Sequence, residues 1–308
     1  MLIFASMKDI QLSVVICTYN RCKWIRKALE SCKNQTLAYD NYEVIVVNNN
    51  CSDSTESIVN DFISNNPNCS IRQVQEFKQG LSYARNRGIS ESNSELILYM
   101  DDDGVANKDL FEKVVNYMNR NLLVVGLGGK VVPIYEGKEP KWLNKYLIMM
   151  VTAIDYGDKE MQCKGKKYPP GCNMTYRKDV LVKSGGFNEE LKWRVDDKYI
   201  FHAVQKISKK IMYLPNLVVG HNIDSKRTSD ENFDNLSLKL GHDERRRVKS
   251  KGQLFFLIKI IEYFCKWLFS IGLGIGFGFV GRWIAGKYII RFRWQSLLGL
   301  LDYKLYSY

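Results

Sequence analysis

LILYMDDDGVAN, residues 96–107, runs five apolar residues straight into Asp101, Asp102 and Asp103, with Gly104 behind them. Adjacent carboxylates repel one another, and the end of a buried strand is an unfavourable place for unpaired charge. A cation would resolve the conflict. On an extended backbone Asp101 and Asp103 point to one side and Asp102 to the other. The outer pair can then face a hard divalent ion such as Mg²⁺ or Mn²⁺, which takes oxygen ligands and keeps positions for a diphosphate, while Asp102 is left for hydrogen bonding. The same letters also suit a solvated acidic turn or a helix start, so the neighbouring sequence has to decide.

Upstream, strand and helix patterns alternate. LSVVIC (12–17) and EVIVVN (43–48) are apolar runs of buried-strand type, SIRQVQ (70–75) is a third strand and ELILYM (95–100) a fourth. Between them lie an amphipathic helix from Arg21 to about Asn34, a helix opening near Ser54, and a helix in GLSYARNRGIS. Trp24, Ala28 and Leu29 fall toward one face of the first, and Asp53 and Glu56 have capping-box spacing at the start of the second. This alternation predicts an α/β fold with a mainly parallel sheet buried on both faces. Ligands bind such sheets at the carboxyl ends of the strands, so TYNR, NNNCSD and DDDG should converge on one crevice. Downstream, Asn107 suits a helix N-cap and GKVVPIY (129–135) a strand, while 136–170 has no clear pattern. PPGCNMTYRKDVLVKSGGFNEEL (169–191) reads as a turn, a short strand, a helix and a Gly-Gly exit. WRVDDKYIFHAVQK (193–206) starts a further helix, and KKIMYLPNLVVGHNID (209–224) supplies a short strand and a loop.

With 45% hydrophobic and 25% charged residues the chain is not generally disordered, and 308 residues can hold one large domain or two smaller ones. The eight cysteines include no CxxC pair and no zinc-type Cys/His cluster, which fits a reducing compartment. LIFA (2–5) is too short for a secretory apolar core, so no signal peptide is expected. The net charge of +12 is concentrated: from Arg245 onward twelve Lys/Arg face only Glu262 and Asp302, so that segment carries +10. A basic tail is not a basic groove, and no nucleic-acid partner is expected. A basic helix (Asn235 to about Lys251) precedes an apolar block from Leu254 to about Ile290, whose longest uncharged run is the fifteen residues Trp267–Gly281. That falls short of the ~20 residues of a bilayer span. Trp267, Trp283 and Trp294 at its edges suit helices lying in a membrane interface, with the basic residues on anionic lipid. A single tilted span and a buried core hairpin are the other readings. GFGFVG (276–281) fits the dinucleotide fingerprint by letter only, because no strand precedes it.

Six motifs in order, SVVICTYNR (13–21), EVIVVNNNCSDST (43–55), GLSYARNRGI (80–89), LILYMDDDG (96–104), GCNMTYRKDVLVKSGGFNEEL (171–191) and WRVDDKYI (193–200), resemble the family-2 glycosyltransferases of the GT-A fold, a Rossmann-like α/β architecture. The resemblance runs from about residue 12 to 228. It implies a catalytic domain over 1–229, with a nucleotide-binding half to about 104 and an acceptor half beyond, followed by a membrane-associating region over 230–308 like that of many relatives in capsule and O-antigen synthesis. It also implies roles. Thr18, Tyr19, Asn20 and Arg21 would receive the nucleotide, completed by Asn50 and Asp53. Asn48 stands where relatives carry the Asp that pairs with uracil. Arg85 and Asn86 match the pair facing the donor. Asp101 and Asp103 match the D-x-D, with Asp102 between them and Asp103 the favoured ligand of Mn²⁺ or Mg²⁺. GCNM (171–174) would border donor sugar and acceptor, and His221 matches a histidine that approaches the metal or diphosphate. Asp196–Asp197 occupies the place of a Glu-Asp pair whose second member is the base.

Inverting transfer from a UDP-linked sugar needs such a base for the acceptor hydroxyl and a cation for the departing diphosphate. The expected acceptor is a glycan, lipid-linked and met at the cytoplasmic face of the cell membrane. Blander roles remain for single residues: Asp196 and Asp197 as helix-start charges, His221 as a satisfied loop histidine, Arg85 as a surface cation. Of two rival functions, a sugar nucleotidyltransferase-like enzyme should carry a Gly-rich loop after the first strand, which CTYNRCKW lacks. A non-catalytic membrane- or polyanion-binding module would leave three polar strand-end loops unexplained.

Overall fold

The computed structural model describes residues 10–190, 196–250 and 252–302. Trp193, Arg194 and Val195 of the WRVDD motif lie outside the described residues, as do LIFA and Lys304. In chain order the elements are β1 (Leu12–Thr18), α1 (Ile25–Lys33), β2 (Tyr42–Asn48), α2 (Thr55–Ser64), β3 (Ile71–Gln75), α3 (Leu81–Glu91), β4 (Leu96–Asp101), β5 (Gly104–Ala106), α4 (Leu110–Arg120) and β6 (Gly126–Tyr135). They continue with β7 (Met161–Gln162), β8 (Met174–Arg177), α5 (Lys178–Lys183), α6 (Asp196–Gln205), β9 (Ile211–Ile223), α7 (Asp230–Lys249), α8 (Gln253–Phe279) and α9 (Trp283–Leu300).

The strands form one mixed sheet in the order β3-β2-β1-β4-β8-β6-β9-β5, with β7 beside β9. The first four are parallel, and β8, β5 and β7 pair antiparallel. Strand alternation feeds two apolar layers. Val14, Ile16, Val44, Val46, Leu98 and Met100 pack on one face with α1, α2 and α4 residues such as Leu29, Val59 and Phe111. Val15, Ile45, Val47, Ile97 and Tyr99 pack on the other with Ala84, Leu181 and Phe201. Burial on both faces is why β1 and β2 read as unbroken apolar runs. Gly88 lets α3 approach the sheet: a Cβ there would sit 2.4 Å from a Val15 methyl.

Several boundaries differ from the sequence reading. Helix α1 starts at Ile25 and not Arg21, because the Arg21 and Cys22 amides bond to Thr55 and Asp53. The N-cap of α2 is Ser54; Asp53 before it accepts from the Thr55 amide and hydroxyl, and Glu56 accepts from Asn48, so no capping box forms. The N-cap of α4 is Asp109, not Asn107. Helix α7 starts earlier than Asn235, where the Ser229 hydroxyl accepts from the Asn232 amide. The short strand and loop expected over 209–224 are one 13-residue strand, since Val219–His221 pair with β5.

The chain divides into two compact units. The first runs to Val132 and resumes over Ile154–Asn222; the second is Pro133–Ala153 with the chain from Ile223 onward. These compact units are thus divided at 132/133, 153/154 and 222/223. In the second unit Trp142, Phe233, Tyr288 and Phe292 belong to one aromatic core. Helices α7 and α9 cross at Gly241 and Gly299, where a Cβ would lie 2.1 Å from a facing carbonyl oxygen. Arg291 of α9 pairs with Asp230 and Asp234 of α7. None of the described helices is long and apolar enough to cross a membrane, which removes the tilted span. GFGFVG lies at the end of α8 and the turn after it, away from any strand.

Candidate active site

The carboxyl ends of β1, β2 and β4 do bring TYNR, NNNCSD and DDDG together. Asn20 adopts a left-handed backbone (φ 52°), which Asn tolerates better than most residues. Its Oδ1 accepts from the Ser52 amide at 2.8 Å, and its own amide donates to Cys51 Sγ at 3.3 Å. The Cys22 amide donates to Asp53. Burial opposes the Asp53 carboxylate, yet bonds from Thr55 and Cys22 overcome it and hold its pKa at about 2. Tyr19 and Asn50 are exposed at this rim, and Asn50 is also left-handed (φ 70°).

Asn48 is buried with both ends of its amide in use, donating to Glu56 and accepting from the Cys51 amide at 2.9 Å. These two bonds brace the loop around it. Asn49, which the sequence reading did not single out, donates to the Glu76 and Lys78 carbonyls and accepts from the Gly80 amide, fixing the approach to α3. Asn86 turns away from the crevice. Its amide is held by both backbone groups of Phe187 and by Glu189.

Asp101, Asp103 and His221 form the centre. Each offers one ligand atom, and the three atoms lie within 4.8 Å of one another. His221 comes from β9, opposite Gly104 of β5, with Nε2 3.1 Å from Asp103 Oδ1. Oxygen and imidazole donors of this kind fit a divalent cation such as Mn²⁺ or Mg²⁺. The local charge supports the fit: burial pushes the Asp101 carboxyl up despite Arg85, and the Asp103 charge adds to the rise. Burial first, then Asp103, raises Asp102 to about 7. Asp102 lies outside the three-ligand group, beside the Thr18 hydroxyl and 4.0 Å from the Arg21 guanidinium, which also reaches within 3.8 Å of Asp103.

Arg85 is 3% exposed, so it is not a surface cation. Its guanidinium pairs with Asp196, reaches Asp101 at 3.6 Å, donates to the Gly171 carbonyl at 3.3 Å and lies over the Tyr99 and Phe187 rings. Gly171 is required for that approach, since a Cβ would meet the guanidinium at 2.7 Å. Asp196 and Asp197 open α6, where the helix dipole favours them. Their roles diverge. Asp196 is buried against Arg85, while Asp197 stays partly accessible and accepts from the Gly171 and Lys198 amides. Burial raises the Asp197 pKa, opposed by Arg85 and those two amides. A carboxylate with raised proton affinity is suited to take a proton.

Besides Asn49, Asn222 escaped the sequence reading, and Asn173 was named there only as part of GCNM. Asn222, next to His221, donates to the Asp103 carbonyl from both its amide and Nδ2, each at 2.9 Å, and accepts from Lys27 of α1. Asn173 of the GCNM stretch donates to the Lys130 and Leu217 carbonyls and ties β6 to β9. The polar pair His221–Asn222 after the apolar run Leu217–Val219 was the available signal for Asn222.

Comparison with known proteins gives the same direction. The model of glycosyl transferase family 2 matches residues 13–185, more than half of the chain. A glucosyl-dolichyl phosphate glucuronosyltransferase of Haloferax volcanii is 24% identical over 229 residues, covering 71% of each chain. Among solved structures, the mannosyltransferase PcManGT of Pyrobaculum calidifontis, in complex with GDP-Man and Mn²⁺, superposes with a TM-score of 0.61 at 14% identity over 96% of this chain and 88% of its own. S. aureus TarS 1-349 in complex with UDP-GlcNAc gives 0.54 at 19% identity over 75% and 66%. These likenesses establish the GT-A fold.

Proposed function

The chain belongs to glycosyl transferase family 2, and from that premise we propose that it is a metal-dependent, inverting transferase. It moves a sugar from a UDP-linked donor to a lipid-linked glycan acceptor in surface polysaccharide synthesis. The observation that carries the reading is the convergence of Asp101, Asp103 and His221 at a strand end that also receives the TYNR loop. A Mn²⁺ or Mg²⁺ ion held by these three would neutralise charge on the diphosphate leaving group.

The chain's own residues then have separate tasks. Thr18–Arg21 and Asn50–Asp53 receive the nucleotide, with Asp102 and Arg21 beside it. Arg85 holds Asp196 and the Gly171 carbonyl in place, which sets the end of α6. Asp197 takes the proton of the acceptor hydroxyl as that oxygen attacks the anomeric carbon from the face opposite the diphosphate. Residues to about 104 make the nucleotide half and 105–229 the acceptor half. The relative from Haloferax volcanii, whose name specifies a dolichyl phosphate glycolipid, supports a lipid-linked acceptor. The exposed apolar residues of α8, with the basic residues of α7, support attachment to an anionic membrane surface at the cytoplasmic face.

The test is transfer from UDP- and GDP-sugars to isoprenoid-linked acceptors, with and without a chelator, and NMR of the product's anomeric configuration. Expected are chelator-sensitive transfer from a UDP-sugar and an inverted linkage. A retained linkage, or full activity in chelator, would sink the mechanism.

A further inference from the structure

The second unit contains a groove for which the transfer reaction has no use. Tyr146, Leu147, Phe269, Leu273, Ile289 and Phe292 wall a cavity of about 370 Å³ formed by the 133–153 segment, α8 and α9. An apolar cavity of about 470 Å³ along α8 shares Phe269 and Leu273 with it.

Three charged side chains reach the first cavity: Glu262, Lys266 and Arg293. Glu262 is neutralised within its own helix, because bonds from Lys259 and Lys266 hold its carboxyl at about 2. Arg293 is different. It is half-buried, it lies over the Phe292 ring at 5.1 Å, and no carboxylate pairs with it among the described residues. Burial pushes its pKa down, yet a guanidinium does not shed its proton at neutral pH. A half-buried cation at the wall of a cavity, with no carboxylate beside it, is suited to a ligand that brings an anion. Apart from Ser270 and the paired Glu262 and Lys266 the wall is apolar, so an anionic head on an apolar tail fits it better than a small hydrated anion, which would leave the apolar part unfilled.

We propose that this groove binds one membrane phospholipid, its phosphate on Arg293 and an acyl chain along Phe269 and Leu273. The occupant comes from a membrane leaflet because the same helix exposes Leu254, Phe255, Ile258 and Ile261 beyond the groove. The proposal rests on the membrane-attachment reading above and adds a stoichiometric site to it.

Native mass spectrometry of the full-length chain purified in mild detergent should find one phospholipid per chain, absent from Arg293→Gln and retained by Arg293→Lys. On phosphatidylcholine vesicles containing phosphatidylglycerol, Arg293→Gln should bind about tenfold more weakly than wild type at an unchanged melting temperature. Equal lipid retention and equal vesicle binding by Arg293→Gln would overturn the groove while leaving membrane attachment standing. Failure of the wild type to bind any vesicle would overturn both. Retention of an isoprenoid phosphate, or displacement of the lipid by inorganic phosphate alone, would overturn the assigned occupant. Should Arg293→Gln not fold, lipid retention by the wild type decides the matter.

Discussion

In the first unit Arg85, Asp103, Asp196, His221 and Asn222 are charged or polar yet each less than a tenth exposed, whereas in the second unit Phe255, Ile261, Phe269 and Phe279 are apolar yet each more than half exposed. Both groups break the usual partition of side chains. The buried polar set has its partners inside the protein: Asp196 on Arg85, Asp103 on His221 and, through its carbonyl, Asn222. The exposed apolar set stays more than half open among the described residues, although the same helices are packed closely on their inner side through Gly274 and Gly286. The difference separates the proposed reaction centre, where buried charges are held by one another, from a surface for which a membrane partner is proposed.

That contrast can be broken or sharpened by substitution. The largest effect should come from Asp197→Asn, which removes the proposed base and should lower kcat by about 10²–10⁴-fold with the fold intact. Unimpaired turnover would place the base elsewhere. The same residue sets a pH signature. A base must be deprotonated to act, and burial raises the Asp197 pKa above the ordinary 3.8, so activity should fall with acidification at a pH above that value. An acid limb at or below 3.8 would contradict it. Arg85→Ala leaves Asp196 and Asp101 without their cation and should cost about 3–5 kcal/mol in urea unfolding. A loss under about 1 kcal/mol would mean that the buried pair is not a pair in solution. Asn222→Ala removes the side-chain bond to the Asp103 carbonyl and the acceptor of Lys27 while the backbone amide keeps its bond, and should cost about 0.5–1.5 kcal/mol, with weaker Mn²⁺ binding measured calorimetrically. Unchanged metal affinity would make Asn222 purely structural. Phe255→Ser should be the mildest, within about 0.5 kcal/mol of wild-type stability but weaker on anionic vesicles. Marked destabilisation would show that this face is core after all.

The parallel strands, the crossover helices and the meeting of three polar loops were legible in the sequence because buried apolar runs and strand-end polar clusters are local signals. The antiparallel half was not, because β8 and β9 owe their places to distant partners: Leu96 opposite Arg177, and Gly104 opposite His221. Motif position identified Asp101, Asp103 and His221, but it could not separate residues facing the crevice from those bracing it. Asn48 and Asn86 carry the right letters and have their amides engaged by Glu56, Cys51 and Phe187. Arg85 occupies the expected place, yet its partners, Asp196 and Gly171, lie about a hundred residues away in the chain. Side-chain amides and guanidinium groups are decided by such long-range bonds, which leave no periodic trace in sequence.

The proposed function depends most directly on a metal-dependent nucleotide site at Asp101, Asp103 and His221. The most direct test is a thermal melt of the full chain with UDP and GDP, each with and without Mn²⁺, beside the same series on Asp103→Ala. Expected is stabilisation by UDP that needs Mn²⁺, about 2.7 kcal/mol at a hundred times the dissociation constant, and its loss in the variant. A shift by UDP that ignores Mn²⁺ and survives Asp103→Ala, or no shift with either nucleotide, would contradict it.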